Sequence, residues 1–196
     1  MKKLLVSMLL AVVLVAPVFA SEKGDMEIVG KLGFIINSLM VETDDLGISS
    51  SEKYDYNQDS SFSLGADFYY YVFNNIATGV GINYVFDSKV DIYDTNVGAT
   101  NIYLAVKPVL LENKFVDKAY LLGQIGLGIT RFDNSWTSFS QSGLYWGIGV
   151  GAEMYNVIVE FSYSVDYWEH DEKDWSDDWS YTNRRFAINV GYKFSI

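Results

Sequence analysis

The sequence predicts an all-β fold: an eight-stranded antiparallel up-and-down transmembrane β-barrel with a lipid-facing apolar exterior and a polar, glycine-rich interior. Three observations predict it. Eight segments alternate apolar and polar side chains with a period of two, the signature of strands rather than helices. Within those segments every charged residue, and nearly every glycine, falls on the same face. The connections between the segments alternate between long and short.

The N-terminus stands apart from this pattern. Lys2 and Lys3 precede an apolar run, Leu4 to Ala16, that is broken only by Ser7, and Pro17-Val18-Phe19-Ala20 follows. A basic start, a short apolar run and small residues at the cleavage positions predict a signal peptide over residues 1–20, cleaved after Ala20. The run is shorter than the roughly 20 residues of a spanning helix. Residues 21–196 are then one barrel domain of 176 residues, and loss of the two lysines takes the formal charge from −11 to −13. So acidic a chain lacks the basic surface that nucleic acid requires. With no cysteine, thiol chemistry and thiolate metal sites are excluded. No long apolar run follows Ala20, which excludes a helical membrane protein but not a β-membrane protein.

The first segment, 26–37, sets Met26, Ile28, Leu32, Phe34 and Ile36 against Glu27, Lys31 and Asn37. The second, 61–72, sets Phe62, Leu64, Phe68, Tyr70 and Val72 against Ser61, Ser63, Gly65 and Asp67. The third, 76–87, opposes Val80, Ile82, Tyr84 and Phe86 to Gly79, Gly81, Asn83 and Asp87. The fourth, 100–109, opposes Ile102, Leu104 and Val106 to Asn101, Tyr103 and Lys107. In the fifth, 119–130, Leu122 blurs an alternation of Leu121, Ile125, Leu127 and Ile129 with Gln124, Gly126, Gly128 and Thr130. The sixth, 143–154, carries Leu144, Trp146, Ile148 and Val150 against four glycines and Glu153. The seventh, 157–168, carries Val159, Phe161, Tyr163 and Val165 against Glu160, Ser162, Ser164 and Asp166. The eighth, 185–196, carries Phe186, Ile188, Val190, Tyr192, Phe194 and Ile196 against Arg185, Asn189, Gly191 and Lys193. The valine, isoleucine and aromatic content suits strands.

Alternation alone does not say which face is the core, since a soluble barrel and a membrane barrel differ by inversion. The apolar face has no charged residue, whereas the other has ten: Glu27, Lys31, Asp67, Asp87, Lys107, Glu153, Glu160, Asp166, Arg185 and Lys193. The charged face also holds eleven glycines and the apolar face only Gly30 and Gly123. An eight-stranded barrel is just wide enough inside for side chains. Glycine there makes room for tyrosines and charges, while Trp146 and the many aromatics of the apolar face are too bulky to be enclosed. The gaps 38–60, 88–99, 131–142 and 169–184 are long, whereas 73–75 and 155–156 are short, as in membrane barrels whose two ends differ. Asn74-Asn75 and Tyr155-Asn156 suit tight turns. Tyr84, Phe86, Tyr163, Tyr167, Tyr192 and Phe194, near segment ends, suit interfacial girdles.

With these features the chain resembles the small outer-membrane β-barrel proteins of the OmpA/OmpX/OmpW-like group. The resemblance rests on the leader, the eight segments, the glycine-rich stretches LLGQIGLGI (121–129) and GIGVGAEM (147–154), and the last strand. It implies a bacterial outer-membrane location in a Gram-negative envelope, contact with outer-membrane lipid and lipopolysaccharide, and a last strand read by the outer-membrane assembly machinery. Val190, Tyr192, Phe194 and Ile196 match that assembly signal, with Ile196 standing where the family usually ends in an aromatic. No peptidoglycan-binding module of the kind larger relatives carry is expected.

Candidate chemistry is sparse. Charges in a narrow lumen are expected to be joined by ion pairs and hydrogen bonds, so Glu27, Lys31, Asp67, Lys107, Glu153, Glu160, Asp166, Arg185 and Lys193 form an expected interior network. That network reads either as a polar filling or as an ion path. His170, the only histidine, sits in the acidic stretch WEHDEKDWSDDWS without a recognisable catalytic partner set. The acidic groups at 44–45, 55–59, 91–94 and 171–178 are candidates for weak divalent-cation binding but lack EF-hand spacing. Trp168, Trp175, Trp179 and Tyr181 are unusual in so acidic a loop; they suit a ligand or partner anchor, or the membrane interface. The expected protein is a monomer with a structural or surface-interacting role, no catalysis and no cofactor. The alternative is a minor channel for small or hydrophobic solutes.

Overall fold

The computed structural model describes residues 23–45, 51–90, 95–112, 116–134, 138–170 and 178–195. The chain forms β1 (Met26–Asp45), β2 (Ser51–Gln58), β3 (Ser61–Phe73), β4 (Ile76–Val90), β5 (Thr95–Leu111), β6 (Lys118–Asp133), β7 (Ser138–Met154), β8 (Val157–His170) and β9 (Asp178–Ser195). There is no helix among the described residues. Both β2 and β3 pair antiparallel with β1, from Asp45↔Ser51 to Met26↔Tyr70. They are two halves of one barrel strand, interrupted at Asp59-Ser60. The ring therefore has eight strands, each antiparallel to its sequence neighbours, and β9 closes it against β1 from Glu27↔Ser195 to Asp45↔Asp178. Closure removes the two bare edges that lipid could not satisfy.

Following paired residues once around the ring, from Ile28 through Phe68, Val80, Leu104, Ile125, Trp146, Val165 and Arg184, returns to β1 at Leu39. This stagger is what tilts the strands and sets the barrel's width. Two short hairpins lie at one end of the barrel. Tyr155 and Asn156 both have positive φ, 51° and 66°, as the two-residue turn between Met154 and Val157 requires. Asn74-Asn75 turns the chain between β3 and β4.

Alternation translates directly into burial. Leu32, Phe62, Leu104 and Leu127 are each more than 60% exposed, while Glu27, Lys107, Glu153 and Asp166 are at most 2% exposed. A water-soluble protein would reverse this arrangement; a barrel with lipid outside and polar groups inside requires it. Aromatic pairs stud the exterior: Tyr84 with Phe86 (5.1 Å between centroids), Tyr163 with Phe186 (4.7 Å), and Tyr192 with Phe194 (4.9 Å).

Four register irregularities interrupt the ladder, at Ile35/Asn37, Tyr71/Phe73, Val85/Ser88 and Val109/Leu111, and two of them fall within the segments that alternate in sequence. One, between Ile35 and Asn37, brings Asn37 into register with Phe186 on β9; the Asn37 side chain, expected to face inward, lies outside the described residues. The other, between Val85 and Ser88, turns Asp87 outward and Ser88 inward, which corrects the interior assignment of Asp87. The Asp87 side chain is 49% exposed and pairs with Arg131 at 2.9 Å. The interior is also less uniformly polar than the alternation suggests. Ile35, Val85 and Ala99 form one apolar cluster within it, and Val29, Leu122 and Ile158 join five tyrosines in another. Side chains in so narrow a space must pack against one another.

Candidate functional site

Ten charged residues are buried among the described residues, and they divide evenly: Glu27, Asp67, Glu153, Glu160 and Asp166 against Lys31, Lys107, Lys118, Arg185 and Lys193. Nine are among the ten charged residues that alternation assigns to the interior, the exception being Asp87. The tenth, Lys118, lies in what reads in sequence as the connection 110–118. Its signal is the backward extension of the β6 phase: Lys118, Tyr120 and Leu122 are all buried. A second hint is that the other nine, four cations and five anions, do not balance.

The ten fall into three groups along the barrel. Nearest the short hairpins, Glu27 accepts from Lys107 at 2.5 Å and Lys118 at 2.7 Å, with Lys193 at 3.7 Å. The Tyr71 hydroxyl donates to the same carboxylate at 3.1 Å and accepts from Lys118 at 3.0 Å. Lys193 also pairs with Glu153. The Lys107 ammonium sits 4.6 Å from the ring centroid of Tyr69 and 5.0 Å from that of Tyr120, where the ring faces are attractive to a cation.

The second group centres on Lys31, which bridges Asp67 at 2.5 Å and Glu160 at 3.2 Å. Three tyrosine hydroxyls complete the carboxylates: Tyr103 donates to Asp67 at 2.7 Å, Tyr69 to Asp67 at 3.2 Å, and Tyr120 to Glu160 at 2.8 Å. Each carboxylate oxygen named here thus has a donor, the condition for keeping ions in a low-dielectric space. The third group is the Arg185–Asp166 pair. A chamber of about 30 Å³ lies among Lys31, Tyr103, Gln124, Tyr145, Glu160 and Arg185, room for only a few water molecules.

Glycine makes this density of rings and ions sterically possible. A Cβ at Gly81 would collide with the Asp67 carboxylate and the Tyr103 ring, and one at Gly151 with the Tyr120 ring. The glycine-rich inner face is therefore the complement of the tyrosines on neighbouring strands.

Beyond Arg185 the lumen changes character. Gln58 donates to Ser88 at 2.8 Å and to the Val97 carbonyl at 3.0 Å, and accepts from Asn183 at 3.2 Å. Val90, Val97, Phe132 and Trp168 pack beside this layer, with Tyr181 against them.

Other sequence candidates are placed differently. Val190, Tyr192 and Phe194 lie on the exterior of β9, each about half exposed, and Ile196 is outside the described residues. His170 ends β8 and is in register with Trp179, its side chain outside the described set. The acidic stretches 91–94 and 171–177, and the side chains of Asp44, Asp45 and Asp55, are also outside it. Among the described residues no group of three or more histidine, aspartate or glutamate side chains is arranged to hold a metal ion.

An apolar-outside ring of eight antiparallel strands around buried ion pairs defines a membrane β-barrel. Residues 6–194 match the Outer membrane protein beta-barrel domain, and the chain belongs to that family. The match begins within the stretch that reads as a leader. No curated protein matches the chain. Among solved structures, the outer membrane protein AlkL in lipid bilayers is similar at a TM-score of 0.54 and 14% identity, over 92% of this chain and 95% of that one. OprG from Pseudomonas aeruginosa is similar at a TM-score of 0.49 and 15% identity, over 89% and 98%. The attachment invasion locus protein Ail of Yersinia pestis is similar at 0.39 and 18%, over 88% and 99%. The AlkL likeness supports the same fold.

Proposed function

We propose that the protein is a monomeric, non-catalytic barrel of a Gram-negative outer membrane, with a structural or surface-interacting role and a lumen filled by its own side chains. The observation that carries this reading is the even set of five buried anions and five buried cations. Their contacts cross the barrel: Lys31 on β1 reaches Glu160 on β8, and Lys118 on β6 reaches Glu27 on β1. An open aqueous path would hydrate these groups; ion pairing, tyrosine hydroxyls and a chamber of only about 30 Å³ favour a filling over a passage.

On this reading the partners are outer-membrane lipid and lipopolysaccharide around the apolar exterior. The short hairpins face the periplasm and the long connections the cell exterior. Residues 1–20 direct export and are removed after Ala20. The outer-membrane assembly machinery reads the last strand through Val190, Tyr192, Phe194 and Ile196. Purified protein reconstituted in planar bilayers tests the filled lumen. Small or no conductance is expected. A large, stable open channel would overturn it in favour of a minor channel for small or hydrophobic solutes.

A further inference from the structure

Two arginines stand on the lipid-facing wall, toward the end opposite the short hairpins, and the ion-pair filling uses neither. Arginine is scarce in this chain: three of its fourteen basic residues. Arg185 is in the lumen; the other two are Arg131 on β6 and Arg184 on β9. Their chain neighbours fix which way they point. Thr130 and Phe132 are buried on either side of Arg131, as are Asn183 and Arg185 on either side of Arg184, so strand alternation turns both arginines outward. Both are half-buried. Each continues an apolar outward row: the exposed Leu127 and Ile129 lead to Arg131, and the exposed Val190 and Phe186 lead to Arg184.

Exterior aromatics adjoin both. Phe186, two residues from Arg184, meets Tyr163 at 4.7 Å, and Tyr163 meets Trp146 at 5.7 Å. Arg131 lies 4.8 Å from the ring centroid of Tyr84. Such aromatics mark the level at which hydrocarbon gives way to headgroups. Arg184 has no hydrogen bond or ion pair to a described residue. Arg131 reaches over Gly98, where a Cβ would collide with Asp87, to the Tyr84 hydroxyl at 2.7 Å and the Asp87 carboxylate at 2.9 Å. Both contacts leave from Nη2, so Nη1 and Nε keep their donors for another acceptor. Asp87 offsets part of the Arg131 charge, which makes Arg184 the stronger point. The exposed acids Asp133 and Glu169 stand farther from the apolar face: Asp133 is two residues beyond Arg131, and Glu169 pairs with Ser180, four residues before Arg184. At the hairpin end, the outward Met26, Tyr70, Met154, Val157, Tyr192 and Phe194 carry no charge.

A half-buried guanidinium at headgroup depth with unused donors suits an anionic oxygen acceptor that arrives on an acyl chain, and phosphate is the group its planar donor set matches. We propose that Arg184 and Arg131 dock the phosphate groups of lipid in the leaflet on the long-connection side, the chemistry that lipid A supplies. The proposal rests on the reading of this barrel as an outer-membrane protein with its long connections outside, and adds to it the residues and the phosphate specificity. Three strand spacings separate β6 from β9, roughly 14 Å along the sheet, so each arginine holds its own phosphate.

The test titrates diphosphoryl lipid A, and the same lipid with its phosphates removed, into the full mature chain in octyl glucoside micelles, with bound lipid counted by native mass spectrometry. The phosphorylated form should bind about fivefold tighter. Arg184→Gln and Arg131→Gln should each lower that ratio, Arg184→Gln the more, and the double variant should bring it to one. Arg184→Lys should keep part of it, having the charge without the planar donor set. Asp87→Asn should raise the ratio by releasing Arg131, which keeps the test valid if an arginine variant fails to fold, as heat-modifiable gel mobility reports. Inorganic phosphate at the lipid's concentration should not compete, since it lacks the acyl chains. Equal binding of the two lipids to the wild type, or an undiminished ratio in the double variant, would overturn the proposal while leaving the outer-membrane reading standing; cell fractionation tests that reading by itself. Displacement by inorganic phosphate at that concentration would overturn it in favour of a site for soluble anions.

Discussion

Glu27 is the position at which the ion-pair account of the lumen is most exposed to test. It is 2% accessible and its carboxylate serves Lys107 at 2.5 Å, Lys118 at 2.7 Å and Lys193 at 3.7 Å. At an effective dielectric of 20, each of the two short pairs contributes a Coulomb attraction of about 6 kcal/mol. Desolvation of the ions offsets most of that. Glu27→Gln removes the attraction but leaves the lysines buried, and breaking a buried pair from one side costs about 3–5 kcal/mol. At a urea slope of about 2 kcal/mol/M, this lowers the unfolding midpoint by roughly 2 M. The measurement is urea unfolding in lipid vesicles, read by heat-modifiable mobility. Glu27→Gln with Lys107→Met should recover a substantial part of the loss, since one stranded cation is gone. The exposed Asp87–Arg131 pair is the control: Asp87→Asn should cost no more than about 1 kcal/mol. A Glu27→Gln midpoint indistinguishable from wild type would mean that water, not Glu27, stabilises these lysines. The lumen would then be hydrated, and the filled-barrel reading would fail with it.

Three further outcomes follow from the same geometry. Leu104→Arg places a charge on the lipid face at a residue 63% exposed. It should cost about 2–4 kcal/mol in bilayers, seen as a lower urea midpoint, whereas Leu104→Phe should be close to neutral. Gly151→Val drives a side chain into the Tyr120 ring and should destabilise by about 1–3 kcal/mol; Tyr120→Leu in the same chain should return part of this. At the turn, Asn156 has φ of 66°. Asn156→Val should therefore cost about 1–2 kcal/mol, while Asn156→Gly should match or exceed wild type in thermal midpoint.

The fold was legible because a membrane barrel writes its geometry into every second residue. Leu122 is instructive. In sequence it blurred the fifth segment, yet the structure keeps the phase and buries it at 3% exposure, one step from Tyr120 at 2%. Phase along the whole strand outweighed the hydropathy of one residue. The same phase, extended one residue back from Ala119, places Lys118 on the inner face, where it is buried. Bulges were not legible. Phe86-Asp87 and Ile36-Asn37 look like uninterrupted alternation, and the extra residue is revealed only by the pairings Val85↔Ala99 and Ser88↔Val97, and Ile35↔Ala187 and Asn37↔Phe186. A bulge depends on what the neighbouring strand offers, information that one strand's sequence does not hold. The partners of each ion were illegible for a related reason: Lys31 and Glu160 lie 129 residues apart, and only the stagger of the closed ring brings them together.

The partition of charge is a consequence of this closure. Inside the ring, five anions and five cations cancel, since any excess would be a buried ion without a counterion. Outside it, lipid tolerates no charge on the apolar face. The net charge is therefore forced to the two ends, and the short hairpins leave little chain at one of them. The long connections carry it: sixteen acids against five bases in residues 42–59, 87–94, 131–133 and 169–184.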